Sequence, residues 1–216
     1  KSYSKTTDLF VYNGLTNEKE LAKNLISQNK NIQIIDAAYG IKYNYGIEEL
    51  WLNPNNYLTL ASTIKEELKE INNSKYENET IEENYNILRE ELAKLDANLR
   101  SISKNAPSED KKTVVIAYNA LAFLQDYGFN VINISDENSI TTEIKNNFKE
   151  KKYTYILVSD TETIPNYIQD IVDNYGTELV IINTMETLKE SERTNNDNYL
   201  TIMNDFLNTL SNKVSN

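Results

Sequence analysis

The chain has no histidine and no cysteine among its 216 residues, and only five glycines and three prolines. Each absence closes off a class of chemistry. Without histidine there is no imidazole general base, no histidine-centred triad and no imidazole metal ligand. Without cysteine there is no disulfide framework and no thiolate zinc site. No G-x-G-x-x-G, Walker-type loop or G-x-S-x-G elbow occurs. No apolar run reaches the roughly 18 residues of a membrane span. The chain begins at Lys1 without a visible signal peptide, as expected of a processed or trimmed sequence. Positive charge is also short: 22 Lys and Arg face 33 Asp and Glu, a formal net charge of −11. That balance disfavours nucleic acid, which needs a cationic surface, and anionic lipid heads. Hydrophobic residues make up 39% of the chain, enough for a folded core.

What is present centres on one long helical pattern from Thr80 to Ser103. Tyr85, Leu88, Leu92, Leu95, Leu99 and Ile102 recur at spacings of three and four, which keeps one face apolar throughout. Thr80 with Glu83 reads as a capping box, and Pro107 discourages continuation past Ala106. Such a rod is either a long surface helix of one domain or a strut joining two lobes.

Short apolar strands alternate with helical segments on both sides of the rod. Before it come strands at Asp8–Tyr12 and Asn31–Asp36, a helix over Asn17–Gln28 capped by Thr16, and a helix from about Asn55 to Ile71. That last helix has Asn53 as its cap and Pro54 at its first position. After it come strands at Thr113–Ala117, Val131–Ile134, Tyr155–Val158 and Leu179–Ile182. Helices are expected over Asn119–Tyr127, Thr141–Lys151, Ile164–Tyr175 and about Asn195–Leu210, with Gly128 and Gly176 as stops. Uniformly apolar strands separated by helices define an α/β fold with parallel sheets covered on both faces. Ligands of such folds bind beyond the carboxyl ends of the strands. The loops after Tyr12, Asp36, Ala117, Ile134, Val158 and Ile182 are therefore the places for function.

Several residues there carry chemistry or packing. Asp160 and Glu162 form a carboxylate pair or serve as caps and solvated loop residues. Glu48 and Glu49, before Trp51, bind a cation or keep a loop soluble. Tyr39, Tyr43 and Tyr45 line a ligand cleft or pack as loop cover. Tyr118 follows a strand, facing a ligand or packing locally. No nucleophile–base set is visible, so no enzymatic activity is expected.

Four stretches, in order, together with the rod, resemble one family: the metal-binding solute-binding proteins of bacterial zinc and manganese ABC importers, some first described as adhesins. They are DLFVYNGLTNE (Asp8–Glu18), ELWLNP (Glu49–Pro54), YNALAFLQDYGF (Tyr118–Phe129) and YLTIMNDFLNTL (Tyr199–Leu210). The resemblance implies two α/β lobes joined by one long rigid helix: residues 1–79 as an amino-terminal lobe lacking its start, 80–105 as the linking helix, and 106–216 as the carboxyl-terminal lobe. It implies an extracytoplasmic, cell-surface protein, monomeric and lipid-anchored through a segment outside this chain. Its partners would be an ABC permease in the membrane and a small ligand or metal ion, with no nucleic acid. It also implies metal positions at Glu49, where the family has histidine, at Tyr118, where it has histidine or glutamate, and at Asn183 or Thr184, where it has aspartate. Asp160 and Trp51 would add to the same cleft. With imidazole gone, the expected cofactor is at most a divalent metal, manganese or zinc. The alternative is a surface adhesion or interaction protein that keeps the fold and has lost the metal.

Overall fold

The computed structural model describes residues 7–215. The order of elements is β1 (Leu9–Tyr12), α1 (Glu18–Gln28), β2 (Gln33–Asp36), α2 (Glu49–Leu52), α3 (Pro54–Ile71), α4 (Lys75–Lys104), β3 (Thr113–Ile116), β4 (Asn130–Asn133), α5 (Thr142–Lys149), β5 (Tyr155–Ser159), α6 (Asn166–Tyr175), β6 (Glu178–Ile182), α7 (Glu190–Asn195) and α8 (Tyr199–Ser215). A nine-residue 3₁₀ segment, Asn119–Tyr127, joins β3 to β4. The fold is α/β with parallel sheets flanked by helices, as the alternating pattern implies.

The chain divides into two compact units. Of the described residues, the first comprises 7–43 and 53–93, the second 44–52 and 94–215. The boundary at residues 93 and 94 falls inside α4, which continues unbroken through it.

In the first unit, β1 and β2 pair in parallel with Leu9 opposite Gln33 and Tyr12 opposite Asp36. The turn after β1 is fixed by Asp36, whose Oδ1 accepts the N–H of Gly14 at 2.9 Å and of Ala38 at 3.1 Å. A Cβ on Gly14 would lie 1.9 Å from the Asp36 carboxylate, so only glycine fits. Asn53 caps α3 as the sequence predicts, its Oδ1 accepting the Asn55 N–H at 3.0 Å with Pro54 at the first helical position.

The second unit holds a four-stranded parallel sheet in the order β4-β3-β5-β6. All five residues of the inner strand β5 are buried. One face packs Val115, Ile134, Phe148, Ile156, Val158, Ile168 and Ile171 into a common core. Phe148 is fully enclosed, edge-on to Tyr153 and stacked on Tyr175. Burying such a side chain contributes about 2–3 kcal/mol relative to leaving it in water.

Three local expectations are corrected. The long helix starts at Lys75, not Thr80. Ser74-Lys75-Tyr76-Glu77 offers an earlier Ser-x-x-Glu start, and the Ser74 Oγ accepts the Glu77 N–H at 3.3 Å. Thr80 then lies inside the helix and its hydroxyl donates to the Tyr76 carbonyl. The 119–127 segment winds as a tight 3₁₀ turn, with bonds such as Leu121 N–H to Tyr118 C=O. Finally, the last helix begins at Tyr199. Asn196 takes a left-handed φ of 55°, which ends the unforeseen α7, and the Asn198 side chain accepts the Leu200 and Thr201 N–H groups.

Candidate metal centre

The strands β3, β5 and β6 are neighbours, so the loops leaving their carboxyl ends lie side by side. Those loops carry Tyr118, Asp160–Glu162 and Asn183–Glu186. Tyr118 is buried in extended backbone just past β3, and its hydroxyl donates to Glu186 Oε1 at 2.9 Å. The same oxygen lies 2.8 Å from the Thr161 hydroxyl and 3.1 Å from that of Thr184. Three hydroxyls from three loops thus meet on one carboxylate oxygen. Thr184 has a single hydroxyl proton and a second acceptor, Asp160 Oδ1, at 2.9 Å, so it serves one carboxylate at a time.

The electrostatics follow from this crowding. Burial pushes the Tyr118 phenol far above its ordinary value. Its bond to Glu186 and the negative charges of Glu48, Glu186 and Glu162 push the same way. In the ion-free protein Tyr118 is therefore a neutral donor to Glu186. Burial raises the Glu162 carboxyl, and the charges of Glu186 and Glu48 add to the shift. Asp160 goes the other way. Burial alone would raise it, but the Lys189 ammonium at 2.5 Å and two hydrogen bonds from Thr184 outweigh that and hold it below the usual range.

The turn after β6 is pinned at every position. Asn183 donates from Nδ2 to Glu192 Oε1 at 2.5 Å and accepts the Met185 N–H at 2.9 Å. The Thr184 N–H donates to Asp160 Oδ1 at 2.9 Å. The Thr184 carbonyl accepts the Trp51 indole N–H at 2.8 Å. Met185 sits at a φ of 56°, a conformation that bulky residues rarely adopt. Trp51 is half-buried, with the polar edge of its ring committed to this turn.

Residues 44–52 group with the second unit, so Glu49, Trp51, Tyr118, Asp160, Asn183, Thr184 and Glu186 all belong to one body. Trp51, Tyr118, Asp160 and Thr184 are joined through hydrogen bonds. Glu49 is buried, but its Oε2 accepts the N–H groups of Asn44 at 2.9 Å and Tyr45 at 3.2 Å, which fastens the loop ahead of α2. The side chain of Asn183 turns to Glu192. The residue that reaches Tyr118 is Glu186, which the sequence reading missed. The signal was there: Glu186 is the first acid in the loop leaving β6, where an α/β sheet places ligand contacts. Among the described residues, no group of three or more Asp or Glu side chains is placed to hold a metal ion.

The family model described as "ZnuA: Zinc-uptake complex component A periplasmic" matches residues 4–213, and the chain belongs to that family. Its members are metal-binding solute-binding components of ABC importers rather than enzymes. The resemblance carried by the ordered motifs is thereby borne out. Solved structures agree on the fold. The metal-dependent lipoprotein YcdH from Bacillus subtilis matches with a TM-score of 0.75 at 22% identity, over 98% of this chain and 81% of that one. The Zn(II)-bound ZnuA-like domain of Streptococcus pneumoniae AdcA gives 0.70 at 22%, over 97% and 80%. The periplasmic zinc-binding protein TroA from Treponema pallidum gives 0.70 at 16%, over 100% and 83%. No curated protein matches the chain by sequence.

Proposed function

We propose that this chain is the extracytoplasmic solute-binding component of an ABC importer whose site has exchanged imidazole for oxygen. The observation that carries this reading is Glu186 Oε1, surrounded by the hydroxyls of Tyr118, Thr161 and Thr184 in a chain without histidine or cysteine. Glu48 and Glu162 add negative charge close enough to act on Tyr118. Tight zinc binding wants imidazole or thiolate, whereas hydroxyl and carboxylate oxygens suit manganese, magnesium or calcium. The solute under this reading is a hard divalent cation held at modest affinity, with Glu186 as the anionic ligand, the Thr161 and Thr184 hydroxyls beside it, and the Tyr118 hydroxyl displaced from Glu186 as the ion enters. Glu49, Asn183 and Asp160 then support the loops rather than touch the ion.

One feature favours a second reading, a fold kept for surface adhesion or another partner after metal binding was lost. Glu186 Oε1 already has the Tyr118 and Thr161 hydroxyls as partners, with the Thr184 hydroxyl shared with Asp160, so the ion-free site is internally satisfied. Calorimetric titration of the chelator-treated protein with calcium, manganese and zinc separates the two. Saturable micromolar binding of calcium or manganese, lost in Glu186→Gln, supports delivery of a cation. No heat with any of the three metals supports the second reading. Stoichiometric zinc retained through chelator dialysis would overturn the oxygen-site assignment.

A further inference from the structure

The Asp160–Lys189 pair stands outside the group of side chains around Glu186 Oε1, yet it controls the turn that carries Glu186. Asp160 uses both carboxylate oxygens: Oδ1 takes the Thr184 N–H and hydroxyl, and Oδ2 meets the Lys189 ammonium at 2.5 Å. The Asp160 side chain is 5% exposed, whereas that of Lys189 is 46% exposed. A buried carboxylate thus grips the turn, and a lysine reachable from solvent neutralises it. Thr184 is the joint, because its carbonyl is also the acceptor for Trp51. Lys189 is further tied into the region by its own N–H, which donates to Glu192 Oε2, while Glu192 Oε1 takes the Asn183 amide. The left-handed Met185 between Thr184 and Glu186 needs such support, since a backbone of that kind persists only where its surroundings hold it.

We propose that Asp160 and Lys189 are positioning residues that set the aim of Glu186, so that the charge at Lys189 governs the order of the 183–186 turn and Trp51 registers it. Removing the ammonium leaves Asp160 buried and unbalanced. The carboxylate then draws in water or takes up a proton, its hold on Thr184 weakens, and Glu186 loses its fixed place. The inference rests on the oxygen-site reading only for what Glu186 does; the coupling of Lys189 to the turn stands without any ion.

The test uses the whole chain as Lys189→Met, Lys189→Arg and Asp160→Asn. Backbone hydrogen exchange of residues 183–186 and the emission of Trp51, the only tryptophan, are read in the absence of metal. Lys189→Met is expected to speed exchange in the turn about tenfold or more and shift the Trp51 emission, with β5 protection kept well above that of the turn. Lys189→Arg should restore both signals, and Asp160→Asn should reproduce the Lys189→Met pattern. Unchanged exchange and emission in Lys189→Met would overturn the proposal. So would loss of protection throughout the unit in both charge-removing variants, since that marks a general structural role. Calcium titration of the same variants keeps the two readings apart: a parent that binds no cation sinks the oxygen site while the exchange result decides the positioning role.

Discussion

Replacing Tyr118 by phenylalanine tests the site most directly. The change removes one oxygen and nothing else from a buried ring. Glu186 Oε1 loses its 2.9 Å donor but keeps Thr161 at 2.8 Å and the Thr184 hydroxyl, shared with Asp160, at 3.1 Å. A hydrogen bond to a charged group is worth about 1.5–3 kcal/mol, and leaving a carboxylate with fewer donors costs at the lower end when other donors remain. Phenylalanine strands no donor of its own, so the expected loss of stability is about 1–1.5 kcal/mol, read from urea midpoints at constant m-value. The effect on cation affinity has the opposite sign. Tyr118 is a neutral donor whose proton points at the oxygen an ion would need, so an entering cation must break that bond. Removing the competitor should tighten calcium or manganese binding about tenfold, the factor that corresponds to roughly 1.4 kcal/mol. Isothermal titration of parent and Tyr118→Phe reads this directly. Weaker binding in the variant would make the Tyr118 oxygen a ligand and refute the argument. A variant as stable as the parent would show that the bond to Glu186 contributes nothing.

Four further outcomes follow from packing and charge. Leu99, fully buried in α4, should cost about 2–5 kcal/mol as Leu99→Ala in urea unfolding, and a loss under 1 kcal/mol would mean that this helix face is not in a core. Gly128→Ala forces a side chain onto a φ of 89° with the Ser103 hydroxyl 3.0 Å from the new Cβ. It should cost about 1–2 kcal/mol, and an unchanged melting temperature would contradict the strained geometry. Asp160 has a depressed carboxyl, so its contribution is complete above its unfolded value of about 3.9 and is lost as pH falls through the folded value. Asp160→Asn should therefore flatten the acid limb of the stability profile below about pH 4. Glu162, shifted upward, acts in the reverse sense: its contribution is present in acid and lost as pH rises through its folded value. Urea midpoints at pH 3, 4, 5 and 7 check both, and a variant with the parent's acid limb would refute the role given to Asp160.

Much of the fold was legible because strand and helix periods differ and the strands are short and apolar. Asn53-Pro54 and Gly128 announced their caps with local chemistry that tertiary contacts did not override. The start of α4 was misread because two Ser/Thr-x-x-Glu boxes stand six residues apart, and periodicity does not say which one nucleates. The break at Asn196 was missed because a left-handed asparagine leaves no mark in an apolar pattern. At the site, composition alone told that imidazole and thiolate are gone. The family-like motifs led to the loop after β6 but settled on Asn183 and Thr184. Choosing among four successive residues of a turn needs the backbone path, and the left-handed Met185 swings Glu186, rather than Asn183, toward Tyr118.

The bond between Trp51 and Thr184 joins residues 133 positions apart. Synthesis at about 5–20 residues per second separates their emergence from the ribosome by roughly 7–27 seconds. Leu50 and Leu52 end up 0% and 1% exposed, and the 119–127 segment that α2 packs against emerges well before Thr184, so the Trp51 bond is the last of this segment's contacts to form. The segment belongs to a unit whose remainder begins only at Lys94, after the chain has gone back to build the first unit. A nascent chain of this protein therefore carries a sticky apolar tripeptide until the start of its second unit, through the 119–127 segment, has been made. Chaperone capture during that window should centre on residues 49–52.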